Sequence, residues 1–150
     1  AREQLDEIQE LLKQSKAIIR SYKLPIVSNN YFVELEEAND AILEIIKELE
    51  KKPITIKTLN TRVDTARDLV LKLFNTTRNM VKLAKTVESL IIYGNRYRSD
   101  NSVIDSGLNR AQMLFYKGEY RKALDFAIVT IEKVDNNIKE KVGDIFEKAI

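Results

Sequence analysis

The sequence predicts an all-α protein built from bundled helices. Apolar residues recur at alternating steps of three and four along most of the 150-residue chain, which is the spacing of helices that pack in left-handed bundles. Four glycines and two prolines are too few for a turn-rich β fold. Because 44% of the residues are hydrophobic, the chain can bury a real core.

The first two helices are predicted at about residues 1–22 and 29–51. Each carries an apolar stripe on one face. We expect the first helix to end before Pro25, because proline disfavours helical backbone in the residue before it. Ser28 precedes the second helix as a favourable N-cap.

The third predicted helix, at about 58–98, is unusually long. At 1.5 Å per residue its roughly 40 residues reach about 60 Å, whereas helices average about 11–12 residues. Helices at about 102–117 and 119–150 follow, with Gly118 between them as a C′ glycine and Asp135-Asn136-Asn137 as a candidate break within the second of them. The buried frame of the long helix consists of Leu59, Val63, Ala66, Val70, Leu73, Thr77, Met80, Ala84, Val87 and Ile91.

One short bundle cannot cover a helix of that length, so different helices are expected to cover its two halves. We therefore predict an elongated rod of two spectrin-like three-helix bundles that share the long central helix. The first repeat takes residues 1–75, with two helices and the first half of 58–98. The second takes residues 76–150, with the second half and the last two helices.

The composition argues against catalysis. The chain contains no cysteine and no histidine, which excludes disulfides, thiolate nucleophiles, imidazole acid–base chemistry and the commonest zinc ligands. We expect no metal site, no cofactor and no enzyme activity. A helical enzyme that uses Lys, Tyr, Asp or Glu is the last-ranked alternative.

The near-neutral total charge conceals an asymmetry. Residues 1–50 carry 6 basic and 11 acidic side chains, and residues 51–100 carry 11 basic and 4 acidic ones. The basic segment 51–98 leaves open a nucleic-acid-binding helical module as the alternative function. The other interpretation is a solvated face that partly complements the acidic second helix.

A polar cluster at the end of the long helix is the candidate partner-binding site. It combines amide and guanidinium donors with tyrosines, which are favoured contact residues. The competing interpretation is an ordinary helix terminus. The candidate residues are Tyr93, Asn95, Arg96, Tyr97 and Arg98.

The residues around 80–134 are similar to the C-terminal part of the EzrA family of septation ring formation regulators. The matching runs are Met80 to Ile91, Tyr93-Gly94-Asn95-Arg96-Tyr97-Arg98, Leu114 to Tyr120, Ala123-Leu124 and Ile131 to Val134. The resemblance implies spectrin-like repeats and a division protein of low-GC Gram-positive bacteria that binds the tubulin-like FtsZ and other division proteins. It also implies that the protein restrains the formation of extra division rings and helps to localise its partners at midcell.

The resemblance also implies where the site and the membrane contact are. The family carries a Gln-Asn-Arg patch linked to midcell localisation; Asn95 and Arg96 match its last two positions, and Ile92 stands where the Gln is expected.

The resemblance further implies that family members face the cytoplasm from an N-terminal membrane helix and act at the division septum. No apolar run here approaches a membrane span, and the chain begins with Ala1, so we expect a soluble piece of a longer protein that contacts membrane only through a segment outside this chain. We expect no nucleic-acid partner and no small-molecule substrate.

Overall fold

The computed structural model describes residues 2–150, and its regular structure over that range is entirely helical. The all-α fold class predicted from the sequence is confirmed. The helices are α1 (Arg2–Ser21), α2 (Asn29–Glu50), α3 (Ile56–Gly94), α4 (Ser102–Tyr116), α5 (Tyr120–Glu132) and α6 (Ile138–Glu147), with one 3₁₀ turn at Asn95–Tyr97.

The long helix α3 contains 39 residues and contributes to two compact units of the chain. All residues of its predicted apolar frame, from Leu59 to Ile91, are buried. Beyond Met80 the stripe widens, because Val81, Leu83 and Leu90 are buried as well. More of the helix circumference is therefore covered in its second half than a single heptad stripe accounts for.

The first unit is formed by α1, α2 and the part of α3 that ends at Arg78. Each of the three helices contributes one buried apolar stripe. Lys72 of α3 lies 4.0 Å from Glu34 of α2, which is the charge contact between these helices that the sequence asymmetry suggested. The buried apolar residues of α1 and α2 are Leu5, Ile8, Leu12, Tyr31, Ala38, Ile42 and Ile45.

The second unit combines residues 79–150 with the short segment Lys23–Val27. The α4–α5 hairpin ends in a Schellman turn: Glu119 N–H donates to the Leu114 carbonyl and Gly118 N–H to the Phe115 carbonyl, each at 3.0 Å. Gly118 has φ 83°, a left-handed conformation that costs glycine nothing.

Tyr120 holds the segment 23–27 within the second unit. Its hydroxyl donates to the Ile26 carbonyl and accepts from the Ile26 N–H at 3.2 Å. Both backbone groups of this loop residue are thereby satisfied by one buried side chain.

The sequence predicts one helix at 119–150 with a candidate break at Asp135-Asn136-Asn137, and the structure divides the segment into two helices at that break. The Asp135 carboxylate accepts a hydrogen bond from the Asn137 N–H at 3.0 Å. This local bond competes with continued helix, so α5 ends at Glu132 and α6 begins at Ile138.

Candidate functional site

The candidate segment 93–98 lies where α3 ends and the chain turns toward α4. Gly94 is buried, Asn95 and Arg96 are exposed, and the remaining three residues are half-buried. The five predicted site residues are therefore adjacent in space, although only two of them point mainly into solvent.

Tyr93 is the anchor of this segment. Its hydroxyl hydrogen-bonds the Asp135 carboxylate, and Lys141 Nζ donates to the same hydroxyl at 3.0 Å. Lys141 and Asp135 form an ion pair at 2.6 Å, and the Tyr97 hydroxyl lies 3.4 Å from that of Tyr93. The end of α3 is thus tied to the α5–α6 turn and to α6.

The cluster of Tyr93, Asp135 and Lys141 shifts all three pKa values in the direction that keeps its hydrogen bonds. The Lys141 ammonium, followed by the Tyr93 hydroxyl, lowers the pKa of Asp135 to about 2. The hydrogen bond to Asp135 raises the pKa of Tyr93 above its usual value. The same carboxylate raises the pKa of Lys141. At neutral pH the cluster therefore contains a carboxylate, an ammonium and a neutral phenol.

Arg96 lies over the ring of Tyr93. Its guanidinium carbon is 4.4 Å from the ring centroid, and its Nε donates to the Tyr93 carbonyl at 3.2 Å. Cation–π contact and one hydrogen bond therefore fix the side chain without neutralising it. No carboxylate among residues 2–150 forms an ion pair with Arg96, so its charge faces solvent.

Arg98 points into the second unit instead. Its Nε donates to Asp105 Oδ1 at 2.8 Å, its Nη1 donates to Asn95 Oδ1 at 3.1 Å, and its Nη2 donates to Asn109. Gln112 Oε1 lies 3.5 Å from both terminal nitrogens. The side chain is 20% exposed, and its donors are largely used to connect the turn with α4.

The exposed part of the segment thus consists of Asn95 and Arg96, with Ile92 preceding them. Ile92 is 65% exposed, so the position where the resemblance leads us to expect Gln is a surface position. An apolar side chain therefore stands there beside an amide and a guanidinium.

The basic segment 51–98 is partly engaged within each unit. Lys72 approaches Glu34, as described above, and in the second unit Lys85 Nζ donates to the Ala149 carbonyl at 3.1 Å. These contacts favour the interpretation of a solvated face with local partners over a continuous nucleic-acid-binding surface.

Sequence reasoning missed the partners that fix the segment. Tyr93 and Asp135 are 42 positions apart, and Tyr93 and Lys141 are 48 apart, so no periodicity links them. The one available signal was Asp135-Asn136-Asn137, a run of turn-forming residues inside a predicted helix.

Among residues 2–150, no group of three or more acidic side chains is placed to hold a metal ion. None of the helices in this part of the chain is long and apolar enough to cross a membrane.

Comparison with known proteins identifies similar sequences. The family described as "Septation ring formation regulator, EzrA" matches residues 1–145. A protein of that name from Geobacillus sp. (strain WCH70) is 31% identical over 146 residues, which cover 97% of this chain and 26% of the relative. The protein of that name from Listeria monocytogenes serotype 4b (strain F2365) is 30% identical over 129 residues, covering 85% and 23%.

The similarity extends to a more distant relative of the same name. The Bacillus subtilis (strain 168) protein is 24% identical over 131 residues, covering 87% of this chain and 23% of the relative. The chain thus spans about a quarter of the length of the curated relatives that it matches. No solved structure shows a significant match.

Proposed function

Because the chain belongs to the EzrA family of septation ring formation regulators, we propose that it is a non-enzymatic binding segment of a cell-division regulator. In this proposal the parent protein acts at the cytoplasmic face of the membrane at the division septum. It binds FtsZ and other division proteins, restrains extra ring formation and helps localisation at midcell. The family name describes regulation of septation and no catalytic activity, which supports the non-enzymatic assignment.

The observation that carries the proposed docking site is the contrast between Arg96 and Arg98. The Arg98 guanidinium donates hydrogen bonds to four side chains of its own unit. Arg96, in contrast, lies over the ring of Tyr93 with its charge exposed to solvent. A fixed, unpaired guanidinium loses little conformational freedom on binding. We therefore assign direct contact to Asn95 and Arg96, with Tyr97 beside them, and positioning to Tyr93 and Arg98.

The test is the double variant Asn95→Ala/Arg96→Ala, made in the full-length protein that contains this chain. We expect the helical circular dichroism signal to be kept, because both side chains are exposed. We expect a fluorescent fusion to lose its midcell band and binding to purified FtsZ in co-sedimentation to fall.

A matched control exists within α3, upstream of the 3₁₀ turn that contains Asn95 and Arg96. Arg78 and Asn79 are also an exposed Arg and Asn pair, and Arg78→Ala/Asn79→Ala removes the same groups and charge. This control is expected to localise normally. Normal localisation of the Asn95→Ala/Arg96→Ala variant at normal expression would refute the site assignment.

A further inference from the structure

A groove on the outer surface of the α4–α5 hairpin shares no residue with the segment 93–98. It consists of two adjoining depressions of about 530 and 400 Å³ that have Phe126 and Val129 in common. The first extends toward the Schellman turn at Leu114 and Lys117, and the second toward Val103 at the start of α4. From Val103 to Lys117 the groove follows about 21 Å of α4, at 1.5 Å per residue.

The floor of the groove is apolar and open to solvent. Val103 is 53% exposed, Phe126 43% and Val129 60%. These residues lie off the buried stripes of α4 and α5, which face the core through Ile104, Leu108 and other apolar side chains. The second unit has therefore completed its core without them, and they form an unpartnered apolar strip along two helices.

The rim of the groove is predominantly basic. Arg110, Lys117, Lys122 and Lys133 line it, against Glu119 and Asp125. Lys122 is paired with Glu119 at 3.4 Å. Within residues 2–150, Arg110, Lys117, Lys133 and Asp125 form no ion pair, so three unpaired cations and one unpaired carboxylate line the groove and leave its rim net positive.

We propose that this groove binds an amphipathic, acidic α-helix of a partner protein. An apolar stripe at spacings of three and four residues fits a strip of Val and Phe side chains between two helices. Aspartate or glutamate flanking that stripe would face Arg110, Lys117 and Lys133. Charge complementarity selects such a helix over a basic one, and the length of the groove accommodates about four helical turns.

The test uses the whole 150-residue chain and a fluorescein-labelled model peptide of about 15 residues. The peptide has leucine at alternating spacings of three and four and glutamate on both flanks. We expect its anisotropy to report saturable binding at low salt that weakens as salt is added. A matched peptide with lysine in place of every glutamate is expected not to bind.

Charge reversal of the rim locates the binding. Arg110→Glu/Lys117→Glu/Lys133→Glu is expected to weaken binding of the acidic peptide at least about tenfold. The control Lys23→Glu/Arg121→Glu/Lys148→Glu makes the same change in net charge at exposed positions of the second unit that do not line the groove. We expect it to weaken binding far less.

Truncation of the floor tests the apolar half of the proposal. Phe126→Ser/Val129→Ser is expected to reduce binding about tenfold or more, whereas Met113→Ser/Tyr116→Ser, which removes exposed apolar side chains elsewhere on α4, is expected to leave it unchanged. The Asn95→Ala/Arg96→Ala variant should also bind the peptide normally, which separates this groove from the proposed division-protein site.

Four results would overturn the proposal. The first is absence of binding at low salt, and the second is equal binding of the acidic and basic peptides. The third is an equal loss of peptide binding in the groove variants and their controls. The fourth is a wild-type dimer in sedimentation that the rim variant dissociates while the peptide fails to bind. That outcome would identify a second copy of this chain as the occupant.

Discussion

Gly94 lies against Leu108 so closely that a Cβ at position 94 would stand 2.7 Å from Leu108 Cδ1 and 3.3 Å from Ile131 Cδ1. Cβ atoms essentially never lie within 3.0 Å of another heavy atom, so the Leu108 side chain would have to shift. The last residue of α3 is therefore a contact point with both α4 and α5. The absence of a side chain at this position allows the three helices to meet directly below the candidate segment.

Replacing Gly94 by Ala is expected to destabilise the second unit by about 1–3 kcal/mol, because the added methyl group overpacks the contact with Leu108. Urea denaturation followed by circular dichroism measures the change. Gly143→Ala is the matched control, since a Cβ there meets nothing within 4 Å. The control should gain about 0.5–1 kcal/mol from helix propensity. Equal effects of the two changes would contradict the packing argument.

Arg98→Lys is expected to lower the free energy of unfolding by about 1–2 kcal/mol. The single ammonium group of lysine cannot replace the planar guanidinium group, which donates hydrogen bonds to Asp105, Asn109 and Asn95 at the same time. Arg96→Lys at the exposed position is expected to change stability by less than about 0.5 kcal/mol. Urea denaturation curves of both variants measure their free energies of unfolding. An Arg98→Lys variant as stable as Arg96→Lys would show that the hydrogen bonds of Arg98 contribute nothing to stability.

The buried faces of the helices could be predicted from the sequence, but the contacts at helix ends could not. Heptad spacing determines which side of α3 is covered. Continued beyond Ile91, however, the same spacing places Gly94 and Arg98 at positions where apolar core residues are due. In the structure Gly94 is buried because it is small, and Arg98 is half-buried because α4 supplies acceptors.

The contacts around Tyr93 were unpredictable for the same reason. They depend on a break between α5 and α6 that brings Asp135 to the end of α3, and helix periodicity carries no information on such a meeting of distant residues. The division at residues 75 and 76 and the elongated rod stay predictions. Small-angle scattering tests the rod, since a compact chain of this length would have a radius of gyration near about 15 Å.

Asp135 gives the second unit an acid-sensitive contact. Its pKa is lowered from 3.8 to about 2 by Lys141 and Tyr93, so the folded state favours the carboxylate. Its contribution to stability is therefore present above the unfolded pKa of 3.8 and is lost as the pH falls toward 2.

We accordingly expect Asp135→Asn to be less stable than the wild type by a constant amount between about pH 5 and pH 7, and by a decreasing amount from about pH 4 to pH 2. Urea denaturation at several pH values measures the difference. Asp68→Asn, at an exposed carboxylate of the first unit, controls for the loss of one negative charge. A difference between wild type and Asp135→Asn that stays constant down to pH 2 would disprove the role of this ion pair.

Ile92→Gln tests whether the proposed docking site needs an amide one helical turn before Asn95. Since Ile92 is 65% exposed, the change should alter stability by less than about 0.5 kcal/mol. If Asn95 and Arg96 supply the contact, midcell localisation of the full-length protein should not change, because neither side chain is fixed by Ile92 in the observed hydrogen bonds. Quantified fluorescence at midcell distinguishes the outcomes. A gain in localisation would show that the amide belongs to the contact surface and that the isoleucine weakens it.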